Sequence, residues 1–111
     1  MPFRLDKDRR IVKSSDYRRV YDAGGKLVGR TLILFYRPAD AMKVGVTVSG
    51  KVGNAVVRNK AKRRIKAALG AELEVRLPMA EMVFVALRRI SEAGYADIQS
   101  DVRVLLTRVK T

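Results

Sequence analysis

The stretch Lys43–Gly70, KVGVTVSGKVGNAVVRNKAKRRIKAALG, changes its apolar period part of the way along. In KVGVTVSG, Val44, Val46 and Val48 alternate with Gly45, Thr47 and Ser49, a period of two that predicts a strand. From Asn54 onward the apolar residues are Val57, Ala61, Ile65, Ala68 and Leu69, a stripe at about 100° per residue that predicts a helix facing a core. Asn54, directly after Gly53, suits the N-cap of that helix.

What lies opposite the stripe is charge. Six of the nine residues from Arg58 to Lys66 are Lys or Arg, with Asn59 inside the same face. An ordinary solvated helix alternates signs at i, i+4, whereas Arg58, Lys62 and Lys66 stack like charges at that spacing, an arrangement that costs stability on its own. No Asp or Glu occurs between Ala41 and Ala71, so the local field is uncompensated. An anion-binding face explains this better than a solubilising surface does. The loop SGKVGN, with Lys51 between Gly50 and Gly53, brings backbone N–H groups and a helix N-terminus to the same place, but it has the spacing of neither a Walker loop nor a dinucleotide fingerprint.

Composition agrees. The 111 residues carry 24 basic and 11 acidic side chains, a formal charge of +13, which calls for a polyanionic partner, nucleic acid first. At 48% hydrophobic residues the chain has core material, so it reads as one folded basic domain spanning 1–111 and not as a basic tail. Neither Cys nor His occurs, which removes disulfides, thiolate metal sites, thiol nucleophiles and a His general base together. No apolar run approaches the roughly 20 residues of a membrane span. A cytoplasmic protein with no membrane partner is expected.

The remaining layout follows from short signals. Residues 1–13 read as an irregular basic arm, expected to be flexible. SSDYRRVYDAGG reads as a short helix capped by Ser14 or Ser15, with Tyr17, Val20 and Tyr21 on one face and Gly24 at its end. RTLILFYRP is a strand with Leu32, Leu34 and Tyr36 on one side and Ile33 and Phe35 on the other, expected to pair as a hairpin with the Val44 strand across PADAM. Lys26–Gly29 reads as a short extra strand, EMVFVALR as a further strand, and YADIQSDVRVLLTRVK as a helix with Ile98, Val102, Leu105 and Val109 inward.

At Gly53, Asn54, Ala55, Val56, Arg58, Asn59, Lys62 and Arg63 the sequence resembles the protein subunit of bacterial ribonuclease P, whose members carry a Gly-Asn-Ala-Val turn and an Arg-Asn-x-x-Lys-Arg-x-x-Arg helix after a strand. The upstream SSDYRRVYDAGG is similar to the family's first helix, and the resemblance extends from about Phe3 to Lys110. Lys66 stands where the motif ends in Arg, Gly50-Lys51 where Lys-Lys is frequent, and Tyr17 and Tyr21 where the aromatic pair is often Phe. Lys keeps the charge of Arg without its planar fork.

The resemblance implies an α/β (α+β) sandwich, a mixed four-stranded sheet with three helices in α-β-β-β-α-β-α order, with a left-handed β-α-β crossover. General experience alone would have made that crossover right-handed. It also implies that Lys51, Asn54, Arg58, Asn59, Lys60, Lys62, Arg63 and Lys66 bind the catalytic RNA of ribonuclease P. Tyr17, Arg18, Tyr21 and Phe35 would meet the 5′ leader of precursor tRNA in a cleft between the first helix and the sheet. The implied chemistry is endonucleolytic hydrolysis of one phosphodiester, with Mg²⁺ held mainly by the RNA.

The residues themselves are compatible with that division of labour. A protein nuclease would cluster carboxylates around metals, whereas these acids are scattered, and no catalytic or metal-binding residue is expected in the chain. Asp16 near a helix N-terminus has a structural explanation. Tyr17, Tyr21 and Phe35 suit base stacking, with core packing as the plain alternative. A ribosomal or RNA-chaperone-type binder remains a second reading. A DNA-binding regulator is weaker, because the basic helix follows a strand and not a helix-turn pair, and no DNA partner is expected.

Overall fold

The computed structural model describes residues 10, 11, 13–75 and 78–110. The element that organises it is the apolar run Ala80–Ala86, buried at every position but Val85. In chain order the elements are α1 (Ser14–Asp22), β1 (Gly25–Val28), β2 (Leu32–Pro38), β3 (Lys43–Thr47), α2 (Ala55–Leu73), β4 (Ala80–Ala86) and α3 (Tyr95–Arg108), with a 3₁₀ turn over Arg88–Glu92. The expected α-β-β-β-α-β-α order and mixed four-stranded sheet hold.

The strand order is β1-β2-β4-β3. β1 pairs antiparallel with β2, β2 antiparallel with β4, and β3 parallel with β4. The hairpin expected between β2 and β3 does not form, because β4, covered on both faces, takes the position between them. A strand apolar on both sides cannot be left at an edge. The connection after β2 is instead tied to the residue before β4, Ala39 N–H donating to Met79 O at 3.0 Å. β3 becomes an edge strand, and Ile11 N–H donates to Val44 O at 3.0 Å along it. Of the arm expected over 1–13, Ile11 is therefore pinned and buried, while residues 1–9 and 12 lie outside the described residues.

Strand alternation sends the two halves of each strand to different layers. Leu32, Leu34, Val44, Met82 and Phe84 meet Ile65, Leu69 and Leu73 of α2 and Ile98, Val102 and Leu105 of α3 in the main core. The opposite face holds a smaller cluster of Ile11, Val20 and Val83, against which Tyr17, Phe35 and Val85 pack. Among the described residues, α1 is the helix that covers that side.

Helix ends show where local signals suffice. Asn54 caps α2 as expected, its Oδ1 accepting from Val57 N–H at 3.0 Å. α2 then runs past Gly70 to Leu73, held by the burial of Leu69 and Leu73. α1 lacks the expected serine cap: it begins at Ser14, and the residue before it, Lys13, makes no side-chain cap. Its first turn is closed by Asp16 and Tyr17 N–H donating to Lys13 O.

Two buried carboxylates fasten α3. Glu72 of α2 accepts from Arg103 Nε at 3.0 Å and Gln99 Nε2 at 3.1 Å. Asp101 accepts from the N–H groups of Arg30 (3.0 Å), Thr31 (2.8 Å) and Leu32 (3.0 Å) and from Thr31 Oγ1 (2.8 Å), so one side chain satisfies the whole β1–β2 turn. Gly29 allows this approach, since a Cβ there would collide with the Asp101 carboxylate.

Asp101→Ala is expected to lower unfolding stability by about 3 kcal/mol, because it leaves buried donors without their charged acceptor. Denaturant unfolding of parent and variant measures this. A loss under about 0.5 kcal/mol would mean that water replaces the carboxylate.

Candidate nucleic-acid interface

On α2 the buried stripe is Ala61, Ile65, Ala68, Leu69, Glu72 and Leu73. Geometry then forces the cations outward with Asn59: Asn59, Lys60, Arg63 and Lys66 are exposed, and Arg58 and Lys62 half-buried. Among the described residues the salt bridges join Arg19 to Asp16 and Glu81, Arg37 to Glu81, and Arg103 to Glu72. None reaches Arg58, Lys60, Lys62, Arg63 or Lys66. Arg64 differs from its neighbours, its Nη1 donating to Ala93 O at 3.0 Å and tying α2 to the chain before α3. It is a structural cation and stands apart from the free basic face in which its spacing would include it.

The turn before α2 adds to this surface. Lys51 is exposed, and its N–H donates to Ser49 Oγ at 3.3 Å. Arg58 lies back toward Gly50, its Nη1 3.9 Å from where a Cβ would stand. Asn54 spends one lone pair of its Oδ1 on capping, and its amide N–H₂ stays available to donate to a ligand.

On the other side of the sheet, α1 and β2 bring together the aromatics singled out from the sequence. The Tyr17 and Tyr21 rings are 6.5 Å apart, and Tyr21 meets Phe35 edge-on at 5.0 Å and 86°. Tyr17 lies flat enough on β3 that a Cβ at Gly45 would come within 2.7–2.8 Å of its hydroxyl and ring. Burial raises the Tyr17 phenol above its ordinary range, with the Tyr21 phenol acting in the same sense and a hydrogen bond with the Val46 backbone opposing them. Tyr17 and Phe35 pack on the small cluster, and Tyr17 also lines the depression beside it. Tyr21, at 37% exposure, is the most open of the three.

A depression of about 430 Å³ opens beside them, lined by Ser14, Tyr17, Arg18, Tyr21, Asp22 and Thr47. Arg18 lines the same depression as Tyr17 and Tyr21. Lys26, Arg19, Arg37 and Glu81, which carry no sequence signal, join the elements around it. Lys26 stands across from Phe35 in the β1–β2 register, its Nζ 5.8 Å from that ring's centroid. Buried Glu81 draws in Arg37 Nε at 2.6 Å and Arg19 Nη2 at 3.3 Å, clamping α1 to β2 and β4. These partners are distant in sequence, and only the strand register brings them together.

Three of the acids are engaged separately. Asp16 pairs with Arg19 at 2.7 Å, Glu81 with two arginines, and Asp101 with a backbone turn. Among the described residues no group of three or more His, Cys, Asp or Glu could hold a metal ion. No described helix is long and apolar enough to cross a membrane.

An uncompensated cationic helix on one side of a mixed sheet and an aromatic groove on the other define a small α+β domain built to bind nucleic acid. The family model described as Ribonuclease P matches residues 5–110. The ribonuclease P protein component of Clostridium novyi is 33% identical over 108 residues, covering 94% of this chain and 96% of that protein. That of Clostridioides difficile is 30% identical over 107 residues, covering 94% of each. A Staphylococcus aureus RNase P protein mutant with defective mRNA degradation activity has a similar structure, with a TM-score of 0.83 at 27% identity over 91% of this chain and 87% of that one. The Thermotoga maritima RNase P protein shares the fold, with a TM-score of 0.82 at 21% identity over 92% and 98%. The chain belongs to the ribonuclease P protein family.

The raised Tyr17 phenol has a pH consequence. The stability linked to its proton is complete below the ordinary phenol range and is lost as pH rises through the raised value. Ultraviolet titration of the folded parent should show a phenol titrating above that range, and Tyr17→Phe should lack it. If the variant titrates as the parent does, Tyr17 is not the shifted group.

Proposed function

We propose that this chain is the protein subunit of a ribonuclease P ribonucleoprotein. It binds the catalytic RNA through α2 and its preceding turn and the 5′ leader of precursor tRNA through the groove beside α1. By doing so it promotes Mg²⁺-dependent removal of the leader, hydrolysing one phosphodiester to give the mature tRNA 5′ end. The observation that carries the reading is the placement of two nucleic-acid-binding chemistries on opposite faces of one sheet, in a chain matched by the family over nearly its whole length.

Each surface suits a different ligand. Arg58, Lys60, Lys62, Arg63 and Lys66, with Lys51, offer point charges and guanidinium forks to phosphates without any carboxylate to displace, as binding to a folded RNA demands. Asn59 adds hydrogen bonds without charge. Tyr17, Tyr21 and Phe35 offer ring surface to unpaired bases, and Arg18 a charge beside them, as binding to a single strand demands. Among the described residues no group of three or more acids gathers, which favours catalysis by the RNA subunit, with Mg²⁺ held there. When bound, such an ion polarises the scissile phosphodiester and activates the attacking water. The protein's part is to lower the repulsion between two polyanions and to position the leader.

Reconstitution with ribonuclease P RNA tests this. Protein alone should leave precursor tRNA intact, and protein with RNA should cleave it at Mg²⁺ concentrations where the RNA alone is nearly inactive. Arg58→Ala, Lys62→Ala or Arg63→Ala should weaken assembly and flatten its salt dependence by roughly 0.7–0.9 for each phosphate no longer neutralised, whereas Asn59→Ala should weaken it with little change in slope. A protein that binds RNA but never lowers the Mg²⁺ requirement would instead be an RNA-chaperone-type binder.

The groove is tested separately. Tyr21→Ala or Phe35→Ala should preserve assembly with the catalytic RNA and weaken binding of a long-leader precursor about fivefold or more, with Tyr21→Phe restoring most of it. A precursor with a single-nucleotide leader is the control. Equal loss on both precursors would mean that the rings serve only the fold.

A further inference from the structure

Lys26 is exposed on β1, an edge strand, and β1–β2 pairing sets it opposite Phe35. Its ammonium stands over the Phe35 ring, 5.8 Å from the centroid. Tyr21 meets the same ring edge-on. Among the described residues no salt bridge holds Lys26. An exposed ammonium over a phenyl ring is a weak contact, and a flexible four-carbon stem lets it leave at little cost. A stacked base is the better partner for the ring, and a phosphate the better partner for the ammonium.

These facts suggest an exchange. A base that stacks on Phe35 displaces the ammonium, and it carries its own phosphate past the edge of the ring, within the swing of the same side chain. From these contacts we propose that Lys26 is a phosphate-binding residue of the groove, resting on Phe35 in the free protein and turning to the phosphodiester of the nucleotide that stacks there. The ligand is a single-stranded polynucleotide that runs from Thr47 on β3, past Tyr17, Tyr21 and Phe35, and off the sheet at β1. The inference rests on the leader-binding reading of the groove and extends it by one subsite at the β1 end.

The test measures binding of precursor tRNAs with a long and a single-nucleotide leader to the reconstituted holoenzyme, across a salt series, for the parent, Lys26→Ala, Lys26→Arg and Tyr21→Ala. Lys26→Ala should lower the long-to-short affinity ratio about fivefold near 0.1 M salt and flatten the long-leader salt slope by roughly 0.7, the counterion release of one neutralised phosphate on a single strand. Lys26→Arg should recover both. If Tyr21→Ala lowers the ratio and Lys26→Ala changes neither ratio nor slope, the groove binds the leader and the Lys26 inference is wrong. If neither variant lowers the ratio, the leader reading fails and the inference falls with it. Equal losses on both precursors in Lys26→Ala would also overturn the inference, by placing Lys26 on another part of the RNA.

Discussion

The position of β4 between β2 and β3 is the constraint on which the other features depend. Apart from Glu81 its residues are apolar on both sides, so the strand takes the centre of the sheet. Pairing parallel with β3 then requires the chain between the two strands to cross over, and α2 is that crossover. The same strand serves both layers. Met82 and Phe84 reach the core beneath α2 and α3, while Val83 reaches the cluster beneath α1. One element therefore anchors the cationic helix and the aromatic groove on opposite faces.

The α2 surface is costly to the free protein. A net charge of +13 with like charges stacked at helical spacing repels itself in the compact state, and no described carboxylate pairs with the outward cations. Burial of Ile65, Leu69 and Leu73 holds the helix in place against that repulsion. The acids that might have relieved it are placed elsewhere, on α3 attachment and on the Glu81 clamp. Charge left unpaired in this way is available to a polyanion without first breaking an internal salt bridge.

The groove depends on a small residue and a buried acid. Gly45 lets the Tyr17 ring lie on β3, where any side chain would push it away. Glu81, buried at 6% exposure, draws Arg19 of α1 and Arg37 of β2 onto one carboxylate. Together they set how far α1 stands from the sheet, and therefore how widely the aromatic rings are spaced.

Period and composition alone located the strand-turn-helix of Lys43–Gly70, the N-cap at Asn54, the cationic face of α2 and the alternation that puts Leu34 and Phe35 on opposite faces. Those features are local: a side chain's direction on a strand or helix follows from backbone geometry within a few residues. The resemblance to the family added the mixed sheet and the sandwich architecture. Strand pairing was not local, and the hairpin expected between β2 and β3 failed because burial of β4 on both faces outweighed proximity in sequence. The Asp101 contacts to Arg30, Thr31 and Leu32, the Arg64 tie to Ala93, the Arg19–Glu81–Arg37 clamp and the Lys26–Phe35 contact join residues distant in sequence or on separate strands. Which acid meets which base, and which cation stands over which ring, is decided by register and packing, and only the tertiary structure carries those.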